Sequence, residues 1–142
     1  MISKVLAYFR AKLSDAFDKW SDEELEDFIE FHLKRGTLKV LTRSGQVVAV
    51  LCGWQQVGPD RIPFTWQETD PNGDHWYWYQ FAANSPEDAM SVAASFVLER
   101  PQSALLPSVG FRNGKWRRYK FGILGLYKKG NTLYDGRRSS TT

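Results

Sequence analysis

A dense aromatic segment that leads directly into a helix start is the feature that most constrains this fold. Residues 74–90 read DHWYWYQFAANSPEDAM, and the aromatic side chains of 75–81 favour a β-strand. Ser85 then suits a helix N-cap, Pro86 suits the first helical position, and the two acidic residues that follow suit the helix dipole. Many α/β proteins hold a phosphate or a carbonyl at such a junction. The segment therefore predicts a strand delivered into a helix N-terminus.

The size and composition of the chain indicate a single folded domain. With 142 residues, of which 42% are hydrophobic and 15% aromatic, the chain can bury a core. No segment approaches the roughly 18 consecutive apolar residues of a membrane-spanning helix, and the N-terminus MISKVLAYFRAKL is typical of an amphipathic helix, not of a signal peptide. One cysteine, Cys52, cannot form an internal disulfide, which favours a reducing compartment. We therefore expect a cytoplasmic protein.

The charge of the chain is concentrated at its C-terminal end. The net charge is only +3, but residues 110–142 carry nine Lys and Arg against one Asp. A basic end of this kind is typical of a protein that binds a polyanion or an acidic partner. It is equally typical of an edge hairpin and tail that keep a protein soluble. Both interpretations stay open at this point.

Two helices are predicted at the N-terminal end. Apolar residues recur at three- and four-residue steps through residues 2–19, which predicts one amphipathic helix. Ser21 and Glu24 form a capping-box pattern at the start of the second helix, and Gly36 is a typical stop.

Strand patterns follow these helices. Residues 37–42 are rich in strand formers, and the almost wholly apolar residues 47–56 indicate a strand covered on both faces. Alternation along that second strand places four side chains on one face: Val48, Val50, Cys52 and Trp54. Further strands are predicted at 64–68, 75–81, 108–112 and 116–127.

The third helix and the element order complete the predicted architecture. The helix that begins at Pro86 should end before Pro101, with a buried face formed by Met90, Ala93, Phe96 and Val97. The order is then ααββββαββ, an α+β domain with a mainly antiparallel sheet and helices packed on it. We place this domain at residues 1–135 and a basic, Ser/Thr-rich flexible tail at 136–142.

This element order resembles the GNAT (N-acetyltransferase) fold over residues 21–127. Residues 45–54, GQVVAVLCGW, look like the second and third core strands of that family, 75–81 like its central strand, and 86–99 like the helix that faces the cofactor pyrophosphate. The aromatic strand and the Ala-containing turn after it also resemble the toxin-activating lysine acyltransferases. Some phage-encoded internal virion proteins look like small members of the same fold.

The resemblance implies an acyltransferase that uses acetyl-CoA or an acyl carrier. Backbone groups at Tyr79, Phe81 and Ala82 would then hold the acyl carbonyl, and Asn84 and Ser85 would lie in the cofactor loop. The candidates for proton transfer in such an enzyme are Glu68, His75 and Tyr127.

Several positions depart from the family's pattern. The cofactor loop of the family is glycine-rich, whereas residues 82–88 contain no glycine and Pro86 removes one N–H donor. Glu87 and Asp88 place negative charge where phosphates would sit, at a cost of about 1 kcal/mol each. The toxin-activating branch uses a His near the N-terminus and an Asp on the central strand. This chain has no His before His32, and Tyr79 or Gln80 takes the place of that Asp.

These departures favour a catalytically silent descendant of the fold over an active enzyme. Its role would be structural or one of interaction with a protein partner. A phage particle, or the takeover of a host, is one setting for that role, and the protein would then be virion-associated.

The remaining candidates for chemistry are few. His32 is expected to be structural or on the surface. His75 adjoins Asp74, which suggests an acid–base role for His75. Against that role, neighbouring residues on a strand point to opposite faces. Cys52 has no basic neighbour that would lower the pKa of its thiol, which indicates an inert buried group. Two distant histidines and one cysteine make a poor ligand set, so no metal is expected.

Two aromatic patterns could bind a ligand. On the predicted strand 75–81, Trp76 and Trp78 share one face and the alternate residues share the other, so either one face lines a groove or both are packed. On the predicted hairpin, basic and aromatic residues alternate, and this predicts an alternative function in nucleic-acid binding. The residues of that hypothesis are Arg112, Lys115, Trp116, Arg117, Arg118 and Lys120.

Overall fold

The computed structural model of the protein describes residues 1–59, 69–112 and 115–119. The N-terminal helices are α1 (Ile2–Lys12), α2 (Ser14–Phe17) and α3 (Asp22–Arg35), followed by strands β1 (Leu38–Arg43), β2 (Gln46–Gln56) and β3 (His75–Ala83). Two helices, α4 (Pro86–Glu99) and α5 (Gln102–Leu105), then lead to β4 (Ser108–Arg112) and β5 (Lys115–Tyr119). The predicted α+β class is confirmed. The predicted strand at 64–68 and the predicted tail lie outside the described residues.

One five-stranded mixed sheet forms the centre of the domain, with its strands in the order β1-β2-β3-β4-β5. The β1/β2, β2/β3 and β4/β5 ladders are antiparallel. β3 and β4 are parallel, because the chain crosses over through α4 and α5 before it returns to the sheet.

Helices cover both faces of this sheet. On one face, α1, α2 and α3 pack over a core that includes Phe17, Phe28, Trp54 and Tyr77. On the other face, α4 packs over a second core whose members are Ala49, Leu51, Trp76, Trp78, Val92, Ala93 and Phe96. β2 contributes to both cores, as its apolar sequence predicts.

The first predicted helix is wrong in its length. It breaks at Leu13, whose φ of −124° and ψ of 33° are not helical. In an unbroken helix Phe9 and Phe17 would be about 12 Å apart along the axis. After the break their ring centroids are 5.3 Å apart, and Phe17 also packs on Phe28 at 5.5 Å. The gain in buried aromatic contact explains why a continuous stripe does not give a continuous helix.

Two predicted side-chain orientations are also wrong. Val47, and not Val48, shares a face of β2 with Val50, because an irregularity in the β1/β2 ladder leaves Val48 without a strand partner and shifts the alternation. On α4, Met90 is exposed, since the buried face consists of Asp88, Ala89, Val92, Ala93 and Phe96. That face is rotated by about one residue from the predicted one.

Candidate functional site

The aromatic strand β3 is packed on both faces in its first half. Trp76 and Trp78 lie under α4 and contact Phe96 edge-on, with centroids 5.7 and 5.1 Å from its ring. Tyr77 faces the other core and contacts Trp54 at 5.2 Å. All three β3 side chains are about 1% exposed. Of the two interpretations, packing on both faces is confirmed here, and these side chains line no open groove.

A close approach between strands explains how two indoles fit under one helix. Gly53 on β2 lies directly beneath them, and a Cβ atom there would be 2.7 Å from Trp78 Cε3 and 2.8 Å from Trp76 Nε1. It would also be 2.7 Å from the carbonyl oxygen of Tyr77. The absence of a side chain at Gly53 therefore lets both indoles and the backbone of β3 approach β2 closely.

The second half of β3 has a different environment, because the β3/β4 ladder is short. It pairs only residues 76–78 with 108–110, ending at Trp78 and Gly110. β3 continues for five more residues to Ala83, whereas β4 continues for only two, to Arg112. An irregularity in the β2/β3 ladder also leaves Tyr79 without a partner on β2. We refer to residues 79–83 as the open end of β3.

The direction of the backbone groups at this open end follows from the ladder. The N–H of Asn84 donates to the carbonyl of Val48, so the backbone groups of residues 80, 82 and 84 point towards β2. By alternation, the N–H and C=O groups of Phe81 and Ala83 point to the opposite side. No other described residue pairs with them there. One of the predicted backbone positions, Phe81, is therefore brought to a strand edge that no other described residue pairs.

The junction between β3 and α4 is capped as the sequence predicts. Ser85 is the N-cap, and its hydroxyl accepts a hydrogen bond of 3.1 Å from the N–H of Asp88. The Asn84 side chain, a predicted cofactor contact, accepts a hydrogen bond of 3.0 Å from the hydroxyl of Tyr8. That hydroxyl also lies 3.0 Å from the carbonyl of Val48. The Asn84 carboxamide is thus part of the contact between α1 and the sheet.

A salt bridge at this junction was missed by the sequence reasoning. Arg43, at the end of β1, lies with its Nε 2.8 Å from a carboxylate oxygen of Asp88, whose side chain is only 10% exposed. The sequence shows no basic residue near the start of α4, because Arg43 is 45 positions away. The first turn of α4 therefore already holds an anion with its own cation.

His75, the predicted catalytic residue that the described part of the chain contains, does not lie at the open end of β3. His75 starts β3, six residues before Phe81, which at about 3.3 Å per residue is roughly 20 Å along the strand. Its Nδ1 lies 3.0 Å from Asp74, so the two side chains do meet despite being sequence neighbours. The pKa of Asp74 is lowered by hydrogen bonds from the Gly58 N–H and from His75. Glu68 and Tyr127 lie outside the described residues.

Three other titratable groups have structural environments. His32 is buried, stacks on Trp54 at 5.3 Å, and lies 2.6 Å from the Thr37 hydroxyl, which agrees with a structural role. Burial raises the pKa of the Cys52 thiol well above its usual value, which agrees with an inert thiol. Burial also raises the pKa of the Tyr79 phenol, to about 12.

The β4/β5 hairpin presents cations at the edge of the described sheet. Lys115, Arg117 and Arg118 are exposed and have no ion pair with any described residue. Trp116 is half-buried against Phe111 at 5.2 Å and Tyr77 at 5.9 Å, so it anchors the hairpin. Lys120 lies outside the described residues, and Arg112 ends β4.

A shallow cleft of about 270 Å³ lies elsewhere, beside Trp76. Its other lining residues are Gln55, Thr69, Pro71, Arg100 and Gln102. The guanidinium of Arg100 donates to the carbonyls of Arg35 and Gly36 at the end of α3. Its guanidinium thus caps the C-terminus of α3, and the cleft has no second titratable group among its described lining residues.

The part of the chain that the structure describes carries neither a candidate membrane span nor a candidate metal site. None of its helices is long and apolar enough to cross a bilayer. None of its His, Cys, Asp and Glu side chains gather in a group of three or more that could hold a metal ion.

A scan against models of protein families finds no match, and a search of the curated proteins finds none either.

Proposed function

We propose that this chain is a GNAT-like domain that acts by binding a partner and not by transferring an acyl group. The observation that carries the proposal is the short β3/β4 ladder, which ends at Trp78 while β3 runs on to the start of α4. A strand with an open edge that leads into a helix N-terminus can hold a chain of amide groups along its backbone. The GNAT-like part of the proposal rests on this arrangement and on the resemblance in element order.

The charges at the start of α4 argue against a cofactor phosphate. A phosphate at a helix N-terminus needs free N–H donors and a positive surrounding. Here Pro86 lacks an N–H donor, and Glu87 places an exposed negative charge in the first turn. Asp88 already forms a salt bridge with Arg43. Each carboxylate near that position costs an incoming phosphate about 1 kcal/mol. A pyrophosphate would therefore meet repulsion where the resemblance implies its binding site.

The open end of β3 also offers poor groups for proton transfer. The phenol within residues 79–83 is that of Tyr79, and its pKa of about 12 keeps it protonated at neutral pH. His75 is at the far end of the strand and is engaged by Asp74. Among the described residues, backbone amides dominate this end, and such groups bind but do not take up protons.

Titration of the protein with acetyl-CoA in a calorimeter tests the proposal. We expect no saturable heat up to about 1 mM ligand, which corresponds to a binding free energy weaker than about −4 kcal/mol. The matched variant Asp88→Asn should keep the Ser85 cap and remove one negative charge, so any gain in binding would report the repulsion. Saturable binding of acetyl-CoA to the unmodified protein, followed by acyl transfer to any acceptor amine, would refute the proposal.

Nucleic-acid binding by the β4/β5 hairpin is the second candidate. It is favoured by the three exposed cations at Lys115, Arg117 and Arg118, which no described residue neutralises. Such binding should weaken with salt, because each phosphate contact releases condensed counterions. An affinity that does not change between about 50 and 200 mM salt would contradict this electrostatic role.

Two double variants distinguish binding by the hairpin surface from binding by the overall positive charge of the protein. Arg117→Ala with Arg118→Ala should abolish binding of single-stranded DNA or RNA and leave the fold intact. Lys12→Ala with Lys19→Ala removes the same charge from the exposed surface of the N-terminal helical region and serves as control. Equal loss of affinity in both double variants would show that the hairpin has no special role.

A further inference from the structure

We propose that the open end of β3 takes up an acidic, extended polypeptide segment of a partner as an added strand. The proposal rests on the binding role proposed above and names the chemistry of the partner. Two separate features carry it: a strand edge whose peptide groups no described residue pairs, and a neighbouring hairpin whose cations no described residue neutralises.

The strand edge determines that the ligand is a peptide. Phe81 and Ala83 direct N–H and C=O groups away from β2, and no described strand pairs with them beyond Trp78. An edge of this kind is a template for the backbone of another chain, because each residue offers both a donor and an acceptor. Nucleic acid has no backbone of alternating N–H and C=O groups, so it cannot satisfy this edge in the same register.

The position of the hairpin determines the charge of that peptide. Arg112 is paired with Lys115, and it lies two residues beyond Gly110, the last β4 residue that pairs with β3, so this pair is near the start of the open end. Lys115 and Arg117 are therefore on the strand adjacent to β4, about 10 Å from β3 where strands are about 4.8 Å apart. Long basic side chains can reach acidic side chains on a strand added at β3. On the α4 side one exposed acid, Glu87, follows the open end of β3 in the chain.

The packing of the side chains on β3 explains why such an edge can persist without a partner. Phe81 packs against the core under α4, and Tyr79 and Ala82 pack against the core under α1 and α3. These contacts hold the strand in an extended form although none of the described strands pairs with this part of its edge. An incoming segment would therefore meet a preorganised strand and would bear most of the ordering cost itself.

Fluorescence anisotropy with a labelled peptide library tests the inference. The acidic library alternates Glu with Val, Ile, Thr or Tyr over ten residues, and a second library replaces every Glu with Lys. A third carries N-methyl groups on alternate backbone amides of the acidic sequences, which removes donors and keeps the charge. We expect the acidic library to bind at least about tenfold more tightly than either of the others, a difference of about 1.4 kcal/mol.

Amide hydrogen exchange locates the binding. The amides of Phe81 and Ala83 should exchange more slowly in the presence of the acidic peptides, whereas the amide of Ala82, which already points to β2, should change little. Ala83→Pro removes a donor on the open side only and should weaken binding about fivefold or more, within the range for one lost peptide hydrogen bond. If that variant proves unstable, Lys115→Glu with Arg117→Glu provides the test, and it should reverse the charge preference.

Several results would overturn the inference. The first is that the acidic library shows no saturable binding up to about 1 mM. The others are that the N-methylated library or the lysine library binds as tightly as the acidic library. Protection of hairpin amides without protection at Phe81 and Ala83 would show a purely electrostatic contact, as would full displacement by single-stranded DNA. Acetyl-CoA binding would overturn the proposed function, whereas the peptide-binding and hydrogen-exchange results alone decide this inference.

Discussion

Gly53→Ala tests the packing that holds the aromatic strand β3 in place. The new methyl group would lie 2.7 Å from Trp78 Cε3, 2.8 Å from Trp76 Nε1 and 2.7 Å from the carbonyl oxygen of Tyr77. The two indoles are held between the sheet and Phe96, and the carbonyl belongs to the backbone of β3. None of the three atoms is the free end of a flexible side chain, so β2 and β3 would have to separate.

The expected magnitude follows from two opposing effects. Overpacking of a core typically costs about 1–3 kcal/mol, and contact with backbone on one side places this site near the upper end. Alanine also restricts the unfolded chain, which returns up to about 1 kcal/mol. The net loss in unfolding free energy should therefore be about 2 kcal/mol. For a domain of this size that corresponds to a fall in Tm of roughly 5–10 °C.

Urea denaturation followed by tryptophan fluorescence measures this loss directly, since two of the affected groups are indoles. Gly58→Ala is the control, because Gly58 has φ +85° and no atom within 4 Å of the added Cβ. The Gly58→Ala variant should lose about 1–2 kcal/mol because alanine disfavours a left-handed backbone, and it involves no steric clash. A Gly53→Ala protein within about 0.5 kcal/mol of the parent would refute the close approach of β3 to β2.

Three further predictions concern the charged and titratable groups. Arg43→Ala should lower the unfolding free energy by about 1–3 kcal/mol, because it leaves the buried Asp88 carboxylate unpaired. The control Lys34→Ala breaks an exposed ion pair and should cost at most about 0.5 kcal/mol in the same denaturation assay. The raised pKa of Tyr79, about 12, means that the unfolded phenol loses its proton first, so stability should fall between about pH 10 and pH 12, and Tyr79→Phe should reduce that fall. Because burial raises the pKa of the Cys52 thiol, it should react with a thiol reagent only on unfolding, and rapid labelling of the native protein would contradict its burial.

Local sequence signals predicted the elements whose ends are determined by near neighbours. The Ser21 and Glu24 capping box starts α3 as predicted, and Gly36 ends it with φ +69°. Ser85 and Pro86 start α4 in the same way. In each case the residues that satisfy the free backbone groups lie within one turn of them. Patterns of that range can be read from the sequence alone.

Features that depend on distant contacts could not be predicted. The break at Leu13 follows from ring packing between helices. The displaced alternation follows from the irregularity in the β1/β2 ladder, which leaves Val48 without a partner on β1. The same holds at the candidate site, where Arg43 reaches Asp88 from another strand. No local pattern encodes which strand ends will lie beside a given helix.

The sequence by itself determined that an aromatic strand runs into a capped helix and that the C-terminal third is basic, because both are properties of consecutive residues. The tertiary structure decided what that junction can bind. It closed both faces of residues 76–78, brought Arg43 to Asp88, and ended the β3/β4 ladder at Trp78. The physical reason is that a strand edge is open or paired according to the length of its neighbour, and that length is a property of the assembled sheet.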